Sequence, residues 1–305
     1  MIHALARCML WMIYGDDSTR NRSPSQRNSI LMKMKNYRNK FQTSILALAL
    51  ATGVSQAGTT EETTMTTAPA DDVVSGVLKL DYNSHFISYG ADVWNDGASM
   101  SDPTFNPMLE LAFALPSNFT FTIGTWMDVN NKVDSAIGGS LQEVDVWAGL
   151  AYTYEKLTVS ATYQSWMYGN DDEKILDVKF AYDCLLAPSL TIHHRLDQGA
   201  AAGNEGTILV LGVSHSIETG PVTFSFPVNV AYFLDGDFHG GSDEGVGYVS
   251  VGAQAAVPLA PLIGEAFGDW TLNAGGTYYF TDDEIIPNND EKDFLTANVG
   301  LALSF

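Results

Sequence analysis

With 46% hydrophobic, 11% aromatic and only 17% charged residues, the 305-residue chain is too apolar for a disordered protein and long enough for one large β domain or two ordinary ones. Its formal net charge is −21, and the body of the chain is more acidic still: eight of the fifteen basic residues, but only two of the 36 acidic ones, stand in the first 57 positions. A body so acidic repels nucleic acid, which excludes that class of partner.

From Met34 the chain reads MKNYRNKFQTSILALALATGVSQAG, in which Lys35, Arg38 and Lys40 precede an apolar run from Ile45 to Ala51 and a small-residue exit at Ser55 and Ala57. That order is expected of a secretory signal over residues 34–57, cleaved after Ala57. Residues 1–33 show no periodicity and no second apolar run, and read as an upstream extension outside the fold. Loss of the leader removes Cys8 and leaves Cys184 alone, so no intramolecular disulfide is expected. Residues 58–75, GTTEETTMTTAPADDVVS, form a Thr-rich flexible lead-in.

From residue 76 onward the chain alternates apolar with small or polar residues, the period of a half-buried strand. The first strand places Leu78, Leu80, Tyr82 and Phe86 on one face, the second Leu109, Leu111 and Phe113, and the third Phe119, Phe121 and Ile123. The fourth is the cleanest, with Val144, Val146, Ala148, Leu150, Tyr152 and Tyr154 opposite Glu143, Asp145, Trp147, Gly149, Ala151 and Thr153. Similar sets recur around residues 157–163, 176–182, 190–196, 209–217, 222–232, 249–257 and 270–280. The last strand runs through Leu295, Ala297, Val299, Leu301 and Leu303 to the terminal Phe305. The count is about twelve, an even number.

Connections decide between a soluble sandwich and a membrane barrel. An outer-membrane barrel with both termini in the periplasm has long loops after every odd strand and short turns after every even one. The odd connections are YGADVWNDGASMSDPT, DVNNKVDSAIGGS, YGNDDE, DQGAAAGNEG, DGDFHGGSDEG and DDEIIPNNDEKD, and they hold twenty acidic residues. The even ones are PSN, EK, CLLAPS and ETGP, with one longer stretch at 258–269 that has room for a short helix. Aromatic residues fall where interfacial girdles need them: Phe119, Tyr152, Tyr154, Phe224 and Phe305 at the inner ends, and Phe86, Tyr89, Tyr168, Tyr232, Tyr248, Tyr278 and Phe280 at the outer ends. No apolar run after the leader reaches the ~18 residues of a membrane helix. The pattern therefore predicts an all-β protein over residues 76–305, a closed antiparallel up-and-down transmembrane β-barrel of about twelve strands in the outer membrane. Its expected surroundings are outer-membrane lipid and lipopolysaccharide. A secreted soluble β-sandwich is the alternative fold.

The stretches Ser84-His85-Phe86-Ile87-Ser88-Tyr89-Gly90, PTFNPMLE at 103–110, Gly124-Thr125-Trp126 and Glu143-Val144-Asp145 with Ala148-Gly149 resemble the landmarks of the TorF-like porins of Gram-negative bacteria. That resemblance implies a signal peptide, an outer-membrane barrel and a transport role. The chain departs from the family in its first motif, with His85 and Tyr89 where an Asp and an Arg are usual. Phe305 likewise resembles the C-terminal signal read by the barrel-assembly machinery.

Chemical motifs are few. Asp235, Asp237 and His239 begin like a calcium loop, but His239 replaces the third acid and the twelfth position is Val246, so an acidic solvated loop is the better reading. His193, His194 and Arg195 lack metal-ligand spacing, and nothing marks an activated Ser; neither a cofactor nor an enzyme is expected. The face opposite the apolar sets carries Glu110, Asp128, Glu143, Asp145, Asp177, Lys179, Arg195 and Asp197, the candidate pore-lining residues. The expectation is a passive pore for small solutes that prefers cations. The alternative is a non-conducting surface barrel whose acidic loops bind a partner or divalent ions.

Overall fold

The computed structural model describes residues 73–94, 100–198 and 203–305. The expected leader, the extension before it and the lead-in up to residue 72 lie outside the described residues.

Twelve strands close into one antiparallel barrel: β1 (Val74–Asn83), β4 (Thr104–Leu115), β5 (Phe119–Val129), β6 (Leu141–Tyr154), β7 (Leu157–Tyr168), β8 (Asp171–Tyr182), β9 (Ser189–Arg195), β10 (Gly206–Thr219), β11 (Val222–Phe233), β12 (Gly245–Pro258), β13 (Asp269–Thr281) and β14 (Asp293–Ser304). Each pairs with its neighbour in sequence, and β1 pairs with β4 on one side and β14 on the other. Two further short strands, β2 (Ile87–Ser88) and β3 (Ala91–Asp92), form a hairpin inside the first long connection. A short helix at Ala260–Ile263 occupies the long even turn, as the length of that turn allowed. The barrel rules out the soluble sandwich.

Alternation sorts the side chains. Outward positions are apolar and well exposed, among them Leu109, Phe121, Leu150, Tyr163, Leu211, Phe226, Val251 and Leu301. In the barrel strands the outward positions carry Asp, Glu, Lys or Arg only at the outer rim, at Asp172, Lys174 and Asp293. Such a belt suits lipid, where a Lys or Arg at mid-membrane costs about 2–4 kcal/mol. Inward positions are mostly buried and polar, including Asn106, Glu110, Asp128, Asp145, Thr162, Ser225, Asn273 and Asn298.

The aromatic girdles survive in part. Tyr232, Tyr278 and Phe280 lie exposed at the outer rim, and Phe119, Tyr152, Tyr154, Phe224 and Phe305 at the inner one. Phe86, Tyr89, Tyr168 and Tyr248 do not belong there. All four point into the barrel, with Phe86 at 3%, Tyr89 at 1% and Tyr248 at 3% exposure. For the first two the reason is local: the chain leaves β1 at Asn83 and turns inward, and the Tyr89-Gly90 turn of the β2–β3 hairpin has positive φ at both residues. For Tyr168 and Tyr248 it is phase, because each falls on the inward set of its strand. One connection expected to be long is also short. β7 ends at Tyr168 and β8 begins at Asp171, so Asp171, Asp172 and Glu173 belong to the sheet.

At the seam, Phe305 accepts a backbone hydrogen bond from Gly76 at 2.7 Å and donates one back at 3.0 Å. Its ring lies over Gly76, where a Cβ would stand 2.5 Å from the ring edge. Phe305→Ala, or a polar tail after Phe305, is expected to lower the yield of heat-modifiable folded barrel severalfold on a gel of outer membranes. A normal yield would remove Phe305 from closure and assembly. Orientation has its own check: in a Cys184→Ser background, cysteines at the exposed loop positions Asp243 and Glu291 should react with an impermeant maleimide on intact cells, and one at Ser117 should not.

Candidate functional site

The candidate site is the inner wall, built by β4–β9. Glu110 is 3% exposed and accepts a hydrogen bond from Trp147 Nε1 at 2.9 Å. Trp147 spans the strand between because Gly124, the residue opposite both, has no side chain; a Cβ there would collide with the indole. Asp128, fully buried, receives Trp94 Nε1 at 2.9 Å, Asn130 Nδ2 at 2.8 Å, Asn106 Nδ2 at 3.1 Å and the Thr104 hydroxyl. All four donors are neutral. Glu143 and Asp145 stand two apart on β6, each 3% exposed and on the same inward face. Glu143 Oε1 and Asp145 Oδ1 have no hydrogen-bond partner among the described residues, nor does Trp126 Nε1 on the adjacent strand. Glu110, Asp128, Glu143 and Asp145 thus form one acidic arc, lined by Phe86, Trp126 and Trp147 with Trp94 and Met108 packed against them.

The second group sits on β8 and β9 and is internally compensated. Arg195 Nε donates to Glu173 at 2.7 Å, both side chains being 4% exposed. Its Nη1 donates to the carbonyls of Asn204 at 3.0 Å and Phe238 at 2.7 Å, and the guanidinium lies 3.8 Å from the Phe238 ring centroid. Asp177 accepts from Gln164 Nε2 and from His193 Nδ1, each at 2.6 Å. Lys179 is inward and half-buried, two positions nearer the β8–β9 turn. Asp197 departs from the expectation. It lies beyond the end of β9, where its carboxylate holds the outward Lys174 at 2.8 Å and the Lys174 backbone N–H at 3.1 Å, so it braces the rim instead of lining the lumen. Strand alternation does not continue past the last paired residue.

Loops fill the outer mouth. Ile87 and Tyr89 from the β2–β3 hairpin, Phe238 from the β11–β12 loop and Ile285 and Ile286 from the β13–β14 loop pack on inward Trp166, Ile175, Ile208, Phe233, Tyr248, Tyr279 and Phe294 in one apolar core. Tyr89 Oη lies against His193 Nδ1, with the two rings 3.7 Å apart. Asn289 ties the hairpin to the β13–β14 loop: its Oδ1 accepts from Asp92 N at 2.7 Å and its Nδ2 donates to Gly90 O at 2.9 Å. The acidic loop residues brace other loops, Asp235 accepting from Thr207 N at 2.7 Å and Asp237 from Asn204 Nδ2 at 3.0 Å. Among the described residues no three His, Cys, Asp or Glu side chains gather as metal ligands. Glu173, Tyr89 and His193 had no role in the sequence reading. The first was assigned to a loop, the second to a girdle, and the third lacked any motif.

No family model matches the chain, and no curated protein matches it. Solved structures do. The NanC porin aligns at a TM-score of 0.46 and 10% identity, over 75% of this chain and 98% of that one. The COG4313 outer membrane channel from Pseudomonas putida F1 aligns at 0.45 and 15%, over 78% and 99%. The KdgM porin aligns at 0.41 and 8%, over 76% and 99%. The barrel itself rests on the strand pairing of this chain.

The mouth carries a titratable group outside the strands. His239 Nε2 donates to Tyr89 O at 3.3 Å, and its imidazole is pushed down to about 3, first by burial and then by the Arg195 charge. A displaced loop regains the ordinary value near 6.5, so it binds a proton more readily than the packed loop. Packing of the mouth should therefore be unchanged above about pH 6.5 and weaken progressively as pH falls from there toward 3. Hydrogen exchange in residues 235–245, corrected for intrinsic pH dependence, should be faster at pH 5 than at pH 7.5, and His239→Gln should flatten the difference. Equal protection at both values in the wild type would rule out this linkage.

Proposed function

We propose that the chain is an outer-membrane channel for passive diffusion of small solutes, the transport role that its resemblance to TorF-like porins implies, and that its acidic lumen prefers cations. The observation that carries this reading is the acidic arc. Asp128 stands across from Glu143 on the inner wall, with Asp145 beside it and only neutral donors on Asp128, so the arc lowers the energy of a cation and raises that of an anion. Lipid and lipopolysaccharide surround the apolar belt, and the barrel-assembly machinery inserts the chain. A second reading has its own observation. The apolar core in the outer mouth favours a surface barrel that does not conduct, with loops that bind a partner or divalent ions.

A planar bilayer under a salt gradient separates them. The wild type should open and give a reversal potential of cation-selective sign; Glu143→Gln with Asp145→Asn should move it toward zero at low salt, with less change as the Debye length shortens from about 10 Å at 0.1 M to about 3 Å at 1 M. Deletion of residues 86–92, which removes the hairpin from the mouth, should raise conductance severalfold. An unaltered reversal potential in the double variant would take the arc out of the pathway. Silence of both the wild type and the folded deletion variant would favour the surface barrel.

A further inference from the structure

The wall formed by β10–β14 differs in chemistry from the acidic arc on β4–β6. In β10–β14 the inward positions carry carboxylates only near the periplasmic ends, at Glu218 and Asp269, and otherwise hold hydroxyls, carboxamides, glycines and apolar groups. Three carboxamides come together there. Gln254 on β12 and Asn298 on β14 are separated in the register by Gly275 of β13, and Asn273 lies one inward position further along β13, opposite Gly300. Neighbouring strands lie about 4.8 Å apart, so the group spans roughly 10 Å of wall.

Each of the three residues is buried, at 5%, 6% and 5% exposure for Gln254, Asn273 and Asn298. Yet Gln254 Nε2, Asn273 Oδ1 and both the Oδ1 and Nδ2 of Asn298 hydrogen-bond to nothing in the described barrel. A carboxamide buried this way loses its hydration with no hydrogen bond in return, which makes three in one patch unusual without a ligand. Two glycines shape the patch. The Gln254 carboxamide lies flat over Gly275, and the Asp81 carboxylate lies over Gly300, in each case where a Cβ would collide with the incoming oxygen. Carboxamide donors and acceptors therefore face the interior with a carboxylate acceptor at their edge.

From this arrangement we infer that Gln254, Asn273, Asn298 and Asp81 form a binding subsite for an uncharged, hydroxyl-rich small solute, a polyol or small sugar. A hydroxyl both donates and accepts, so neighbouring hydroxyls satisfy the O and N–H of one carboxamide together, and a further hydroxyl donates to Asp81. An anion gains nothing here, because the patch offers no cationic partner and Asp81 stands opposite Asn106, a donor to Asp128 of the acidic arc. A cation is drawn to that arc instead. The inference goes beyond the channel reading and stands apart from it, since the subsite is defined by binding and not by passage.

Equilibrium dialysis tests it on the folded mature barrel in an amine-oxide detergent, which has no sugar headgroup to compete. Radiolabelled trehalose and sorbitol are the probes, with glucosamine and gluconate as charged counterparts. Saturable binding of a neutral probe, weakened about tenfold by Asn298→Ala and again by Gln254→Ala, is expected, with the charged counterparts bound more weakly. The near-isosteric Asn273→Asp and Asn298→Asp serve if the alanine variants lose heat-modifiable folding, and they too should weaken neutral binding. No saturable binding, equal binding by wild type and variants, or preference for a charged probe would overturn the subsite. Flux of the same probes into liposomes is read separately. Binding without flux leaves the subsite standing and counts against the channel; flux without saturable binding removes the subsite and leaves the channel.

Discussion

Every other feature of this protein depends on the closure of β1 against β14. In a bilayer an unpaired backbone N–H or C=O costs several kcal/mol, so a sheet can cross only if its two edges meet. Here the register runs from Val77 opposite Ser304 to Asn83 opposite Asn298, and Gly76 and Phe305 extend it by one reciprocal pair. Closure also removes the choice of face. Once the sheet is a cylinder, one set of alternate residues is outside and the other inside, for all twelve strands at once.

The inside is then too narrow to tolerate arbitrary side chains, and it is organised by where side chains are missing. Gly124 admits the Trp147 indole, which reaches Glu110; Gly275 admits Gln254; Gly300 admits Asp81. In each case one strand gives up a side chain so that its neighbour's polar group lies along the wall. The result is an interior with two chemistries: an aromatic and acidic arc on β4–β6, and a nearly uncharged carboxamide and hydroxyl wall on β10–β14. Between them, Glu173, Asp177, His193 and Arg195 form a compensated set that also anchors the loops, since Tyr89 meets His193 and Phe238 meets Arg195.

The loops complete the architecture from outside. Five apolar side chains from three connections enter the mouth and join inward barrel residues in one core. Hydrophobic burial thus works in two opposite directions along one chain. The strands turn apolar groups out to lipid, whereas the loops turn theirs in, because above the membrane the neighbouring solvent is water.

Strand alternation, with the long and short connections that point to a closed barrel, was legible in the sequence: the twelve-fold count, the apolar exterior and the inward placement of Glu110, Asp128, Glu143, Asp145, Asp177, Lys179 and Arg195 all follow from a period of two, which is a local property. Apart from Tyr248, whose phase within β12 already turned it inward, what failed were the residues at and beyond strand ends. Phe86 and Tyr89 look like girdle aromatics in sequence and are core residues in space; Asp197 looks inward and braces Lys174 at the rim; Glu173 looks like loop and is the partner of Arg195. Periodicity carries no information past the last paired residue. There the direction of a side chain is set by contacts between segments far apart in the chain, such as Asn289 with Gly90 and Tyr89 with His193, and only the folded structure brings those segments together.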